Sequence, residues 1–274
     1  MRVYSRGEAY ECLGYYQLAL DDYNAAIIIN PGASVVRRHR AHICYLMNDY
    51  KSALSDYDEL IRSSACGIDF ALRSRVFYAL HDYTHALMDA QRAINFYPKL
   101  ATAYVSRAYA NMGLGRFQDA LSDCDWAKSF APRSTEWTLC SAEVFLKEKK
   151  WLNVISLCTT VVGYCPNDAR AYWFRAEAYN HLHNYKQAEA DATIAICHNP
   201  AQAGPYSIRA QARHALNETD GALSDAERVS HLDPNLAKST CLTVITNPAA
   251  IHSTSVIQIN QGHVQTFSTR QQIR

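Results

Sequence analysis

The sequence predicts an all-α solenoid built from seven copies of one helix–turn–helix unit. Three observations predict it. Prolines recur at a fixed interval, small residues recur at two positions within that interval, and an aromatic residue recurs at a third. Pro98, Pro132, Pro166, Pro200 and Pro234 are each 34 residues apart. Pro31 lies 67 residues before Pro98, two intervals less one residue, and Ala65 stands where the intervening proline would fall. A period of this size marks an architecture in which each unit buries its apolar face only against its neighbours.

The cleanest unit is Ala101–Ser134, two helical patterns joined by a tight turn and closed by a proline. Its first helix carries a small residue in every copy: Gly7, Ala41, Ser74, Ala108, Ala142, Ala176 and Ala210. Twelve residues later come Ala19, Ala53, Ala86, Ala120, Val154, Ala188 and Ala222. Dense packing at close helix approach demands small side chains, since an extra methylene there costs about 1–3 kcal/mol. Just before the second column stands an aromatic: Tyr16, Tyr50, Tyr83, Phe117, Trp151 and Tyr185, with Thr219 in the seventh copy. These rings supply buried area to close each hairpin.

The units span 1–33, 34–66, 67–100, 101–134, 135–168, 169–202 and 203–236. The first starts at Met1 with no leader and no capping extension ahead of it, which reads as a cut edge or a truncated gene model. It turns at Gly14 and stops at Asn30-Pro31-Gly32. The second opens on Arg37-Arg38-His39-Arg40. The third begins with Gly67, expected to be a left-handed helix C-cap. The fifth has Lys147-Glu148-Lys149-Lys150 at its turn, a solvated tip. The seventh starts Ala203-Gly204-Pro205, where proline suits a first helical turn. After Leu236 the pattern fails. Residues 237–246 read as a weak capping helix, disfavoured by β-branched Thr240, Thr243, Val244, Ile245 and Thr246. Residues 249–274 alternate faintly about Asn260-Gln261-Gly262; a hairpin is one reading, and a disordered or irregular tail is preferred.

Composition narrows the function. Twenty-seven basic and 26 acidic residues leave a formal charge of +1, giving no electrostatic case for nucleic acid or an anionic membrane. No run of eighteen apolar residues occurs, so no membrane insertion is expected. Nine cysteines include Cys44, Cys124 and Cys158 at core columns and no C-x-x-C. They read as free buried thiols in a reducing compartment, hence a cytoplasmic protein. Asn217-Glu218-Thr219 fits a glycosylation sequon but has no meaning without secretion. Met112-Gly113-Leu114-Gly115 follows no strand and lacks a phosphate-loop lysine; its glycines suit a turn. No H-E-x-x-H or G-x-S-x-G appears. His181 and His183 are two apart and point to different faces of a helix. No enzyme, cofactor, metal or small-molecule substrate is expected.

One column pair argues for a contact. Arg6, Arg40, Arg73, Arg107, Arg175 and Arg209 share one register position, and Asp22, Asp56, Asp89, Asp123, Asp191 and Asp225 follow each by sixteen residues. The fifth unit loses both together, at Ser141 and Leu157. An anion-binding arginine ladder is one reading. The preferred one is a structural ion pair, within a repeat or between neighbours.

These columns resemble the tetratricopeptide repeat over residues 1–236. The resemblance implies a right-handed superhelix whose first helices line a concave groove for a peptide or a partner's helix, a non-enzymatic protein-interaction scaffold. It places Tyr4, Arg38, His42, Tyr45, Arg75, Tyr78, Val105 and Tyr109 in the N-terminal half of the groove, and Glu136, Leu139, Glu143, Arg170, Trp173, Glu177 and Asn180 in the C-terminal half. Arginines among tyrosines suit an acidic stretch over repeats two to four; glutamates flanking Trp173 suit a basic one over repeats five to seven. The co-chaperone carboxylate clamp of this family needs lysine and asparagine at groove positions five and nine. Here those positions read Tyr4/Glu8, Arg38/His42, Ala71/Arg75, Val105/Tyr109, Leu139/Glu143, Trp173/Glu177 and Ser207/Gln211. A co-chaperone-type adaptor without that clamp, or the targeting or regulatory region of a larger enzyme, are the alternatives.

Overall fold

The structure is a computed structural model and describes residues 2–237, 255–260 and 263–268. Seven helix pairs follow in chain order: α1 (Arg2–Cys12) and α2 (Tyr16–Ile29), α3 (Ser34–Leu46) and α4 (Tyr50–Ser64), α5 (Gly67–Ala79) and α6 (Tyr83–Phe96), α7 (Ala101–Gly113) and α8 (Phe117–Phe130), α9 (Thr135–Lys147) and α10 (Trp151–Tyr164), α11 (Ala169–His181) and α12 (Tyr185–His198), α13 (Ala203–Ala215) and α14 (Thr219–Leu232). Two compact units divide inside α9, Met1–Val144 and Phe145–Arg274. Each is a stack of helical hairpins.

The turn inside every hairpin is the same device. Gly14, Asn48, His81, Gly115, Lys149, His183 and Asn217 all take a positive φ between 58 and 76°. The next residue's N–H then reaches back to a carbonyl in the last turn of the first helix, as in Tyr15 N to Tyr10 O at 2.9 Å and Arg116 N to Asn111 O at 2.8 Å. This is the Schellman closure, and it satisfies carbonyls that a helix end leaves orphaned. Five of the seven copies place a residue with a Cβ in this conformation, which costs stability relative to glycine.

The small-residue columns form the core of each hairpin. Ala41, Ser74, Ala108, Ala142, Ala176 and Ala210 are fully buried, as are all seven members of the second column. Gly7, the one glycine of the first column, admits a close approach: a Cβ there would stand 2.7 Å from the Tyr23 ring.

The aromatic column behaves differently from the expectation. Each ring opens its second helix, but Tyr83 and Trp151 also pack on the following repeat. Tyr83 lies against Gly113 of α7, where a Cβ would come within 2.3 Å of the ring. Trp151 stacks on His181 of α11 at 4.1 Å and 9°. These two rings therefore join repeats as well as closing hairpins.

Two further expectations are corrected. Gly67 is no left-handed cap: it is the first residue of α5, and glycine is required because a Cβ would meet Tyr97 at 2.6 Å. Pro234 does not simply close repeat seven: residues 234–237 are helical, and the Asp233 side chain accepts from the backbone N–H of Asn235 and Leu236 as an N-cap. Ala237 is buried against Ile196, Tyr206 and Val229. The remainder of the 237–246 capping helix lies outside the described residues. In the tail, where the sequence favours an irregular chain, β1 (Ser255–Asn260) and β2 (His263–Ser268) pair antiparallel with Asn260 opposite His263.

Candidate functional site

The six arginine–aspartate pairs all meet. In each, the first-helix arginine donates through two nitrogens to the carboxylate of the second helix of its own repeat. Arg6 reaches Asp22 at 2.8 and 2.6 Å, Arg73 reaches Asp89 at 2.7 and 2.9 Å, Arg175 reaches Asp191 at 2.7 and 2.8 Å, and Arg209 reaches Asp225 at 2.8 and 2.7 Å. Arg40–Asp56 and Arg107–Asp123 are alike. The aspartates are buried. In five pairs the remaining guanidinium nitrogen donates to the second helix of the preceding repeat: Arg40 to Asn24, Arg73 to Asp58, Arg107 to Gln91, Arg175 to Thr159 and Arg209 to Thr193. Each of these five arginines thus ties two helices of its own repeat and one of the repeat before, which uses its planar donor fork fully. In repeat five, Ser141 turns its hydroxyl to the Trp137 carbonyl instead, at 2.9 Å.

On the first-helix face of residues 1–144, the predicted groove residues are largely spoken for. Arg38 donates through two nitrogens to Asp69 at 2.6 and 3.1 Å, and the carboxylate is 1% exposed. His42 and His39 both place Nδ1 on Glu11, at 3.0 and 2.9 Å, and the Tyr23 hydroxyl donates to the same carboxylate at 2.6 Å. Burial alone would raise the Glu11 carboxyl, but these three bonds outweigh it and hold it well below its usual range. The bond to Glu11 raises the His39 imidazole, against burial. Tyr45 packs on Tyr50, and Tyr78 packs on Tyr83 and on Tyr109 at 5.3 Å.

Arg75 is held more loosely. Its guanidinium meets Glu136 at 3.3 Å, with the side chains 29% and 39% exposed. This pair joins repeat three to repeat five, across the first helix of repeat four. Tyr4, further back, donates to Glu8. Val105 and Leu139 are buried in the core.

In residues 145–274, Trp173 covers Gly204, where a Cβ would stand 2.4 Å from the indole, and packs on Phe174 at 5.3 Å. The Arg170 guanidinium lies over Phe174, Glu177 follows one turn after Trp173 on α11, and Asn180 donates to Gln211 at 2.9 Å.

A recurring spacing links these contacts. Glu11–His42, Arg38–Asp69 and Asn180–Gln211 are each 31 residues apart, one period less about one helical turn. It is the register of neighbouring first helices. Glu11 and Asp69 were missed from the sequence, and this spacing would have found them.

No family model matches the chain. It is 35% identical over 88 residues to "Translocon at the outer membrane of chloroplasts 64" of Pisum sativum, covering 32% of this chain and 15% of that protein. It is 25% identical over 174 residues to "Heat shock protein STI1" of Saccharomyces cerevisiae, covering 62% and 29%. The chain therefore spans less than a third of either relative. Among solved structures, a tetratricopeptide repeat protein from Parabacteroides merdae superposes with a TM-score of 0.64 at 16% identity, over 89% of this chain and 98% of that one. The fold is that of a tetratricopeptide-repeat solenoid.

Proposed function

We propose that this tetratricopeptide-repeat solenoid is a non-enzymatic scaffold that holds an extended segment of a protein partner against its first-helix face. The observation that carries the reading is the Arg75–Glu136 pair. A half-exposed pair of this kind is worth about 0–1 kcal/mol, so a partner carboxylate takes Arg75, and a partner cation takes Glu136, at little cost. Tyr78, one turn after Arg75, supplies the aromatic surface that anchors interfaces, and the buried Tyr109 backs it at 5.3 Å. Arg38 serves another purpose: opening it would strand the buried Asp69. The acidic contact thus narrows from repeats two to four onto repeat three. Trp173 and Glu177 are the corresponding contacts for a basic stretch in residues 145–274. A net charge of +1 supports a protein partner over nucleic acid. No described helix is long and apolar enough to cross a membrane. A cytoplasmic setting belongs to the same reading, supported by buried thiols such as Cys44 and Cys158, which burial pushes up to about 11 and about 12.

The test is quantitative affinity capture with wild type, Arg75→Glu and the swap Arg75→Glu/Glu136→Arg. A partner read by this pair is lost from the single variant. A capture set unchanged in both variants removes the reading. The yeast relative, a heat shock protein by name, favours a second reading, a co-chaperone-type adaptor. Because positions five and nine lack the lysine–asparagine pair, such an adaptor would bind through Arg75 and its tyrosines and not through a carboxylate clamp.

A further inference from the structure

The opposite face, formed by second helices, carries a feature independent of that reading. Four residues after the arginine column stand Tyr10, Cys44, Phe77, Asn111, Phe145, Tyr179 and Arg213. In repeats two, three, four and seven this position faces the gap between the second helix of its own repeat and that of the repeat before. In repeat three Phe77 fills it: the Arg73 Cζ lies 5.6 Å from the ring, and the His85 ring lies 5.4 Å away. In repeat five Phe145 carries the Lys150 ammonium 5.7 Å over its ring. In repeat seven Arg213 takes the position and bonds Glu189 and Asp225.

Repeat four has Asn111, a short side chain tied down to Asp123 at 3.0 Å. The gap between α6 and α8 is there an open groove of about 620 Å³, bounded among others by Met88, Gln91, Arg107, Asn111, Arg116 and Trp126. Repeat two, with Cys44, has a smaller counterpart of about 260 Å³.

The cations around the larger groove are those that hold rings elsewhere in the chain. Arg107 is the register equivalent of Arg73, and Arg116 of Lys150. Arg73 has Phe70 on one side and Phe77 on the other, each 5.6 Å from Cζ. Arg107 has Tyr104 on one side at 5.5 Å, and its other side borders the groove. Arg116 has no ion-pair partner among the described residues. Trp126 is 55% exposed and Met88 47%, so two large apolar walls face water.

We propose that the α6–α8 groove is a binding site for an aromatic side chain of a partner polypeptide, its ring set against Arg107 and Arg116 as Phe77 and Phe145 are set against their own cations. The electronegative ring face complements both guanidinium groups, and Met88 and Trp126 close over its edges. An aliphatic side chain would gain the walls alone.

The probe is N-acetyl-tyrosinamide, titrated into the full chain while the Trp126 indole N–H resonance, assigned with Trp126→Phe, is followed by NMR. A saturable shift is expected, with affinity about tenfold above that of N-acetyl-leucinamide. Asn111→Phe fills the groove from its floor, and Ser122→Phe fills it from an exposed rim position; both are expected to abolish the shift. If circular dichroism shows Asn111→Phe misfolded, Ser122→Phe decides. Equal affinity for the two amides, no saturable shift in wild type, or undiminished binding in the folded filled variants overturns the proposal.

Discussion

Arg107→Ala isolates what an arginine–aspartate pair contributes. Arg107 donates three bonds of 2.6–3.1 Å to the Asp123 carboxylate. The side chains are 23% and 4% exposed. Burial raises the Asp123 carboxyl above its ordinary range even with Arg107 against it, so the charge is expensive to hold and more expensive to strand. Removing one partner of a buried pair costs about 3–5 kcal/mol. Asn111 keeps one bond to Asp123 at 3.0 Å, which brings the expected loss to the lower end, about 3 kcal/mol, or roughly 6–12 °C in melting temperature for a unit of this size. Asp123→Ala should cost less, about 2 kcal/mol, because Arg107 can turn to Gln91 and solvent. The double variant should cost about 3 kcal/mol, leaving a coupling of about 2 kcal/mol. The assay is urea unfolding by circular dichroism, with amide exchange in α7 and α8 because repeat arrays need not unfold in one step. Losses that add to within about 0.5 kcal/mol, or an Arg107→Ala loss under about 1 kcal/mol, would refute the pairing argument.

Other outcomes follow from single sites. His39 is raised by its bond to Glu11, so its contribution to the α1–α3 contact is complete below the ordinary histidine value near 6.5 and is lost as pH rises through the raised folded value. Glu11 is lowered, so its share is present above its ordinary value near 4.5 and is lost only at much lower pH. With His42, Tyr4, Tyr23, Glu8 and Arg38 around them, the protection of α1 amides relative to the unfolded chain should be greatest near pH 5–6 and less at pH 8, and His39→Gln should reduce that difference. Lys149→Gly relieves a left-handed turn residue and should stabilise by about 0.5–1 kcal/mol in denaturant unfolding; His183→Gly relieves the same turn but loses the ring bond to the Tyr185 hydroxyl at 2.7 Å, so it should gain less than Lys149→Gly. Gly113→Ala drives a Cβ into the Tyr83 ring and should cost about 1–3 kcal/mol, partly recovered by adding Tyr83→Leu.

The repeat was readable because its columns are strict. A buried alanine at 41, 108, 142, 176 and 210 tolerates nothing larger, so the period survives in the sequence. The arginine–aspartate pairs were readable because both members travel together and vanish together in repeat five. What stayed hidden has a physical cause in each case. Asp69 and Glu11 meet their partners through the 31-residue register between first helices, and the residues involved change from repeat to repeat. Arg38 and Arg75 look alike in sequence, yet one faces a buried carboxylate and the other a half-exposed one. Gly67 reads as a cap by composition, and only its neighbours Phe96 and Tyr97 show that it admits a close packing. Pro234 repeats a closing proline, but Asp233 before it caps a new helical turn.

In the proposed function a partner segment lies against the first-helix face at Arg75. The most direct test is photo-crosslinking with p-benzoylphenylalanine placed at Tyr78 on α5 and, separately, at the exposed second-helix residue Gln118. A partner adduct is expected from position 78 that disappears when Arg75→Glu is added, with none of that partner from position 118. The same adduct from position 118, or an adduct at 78 indifferent to Arg75→Glu, would contradict it.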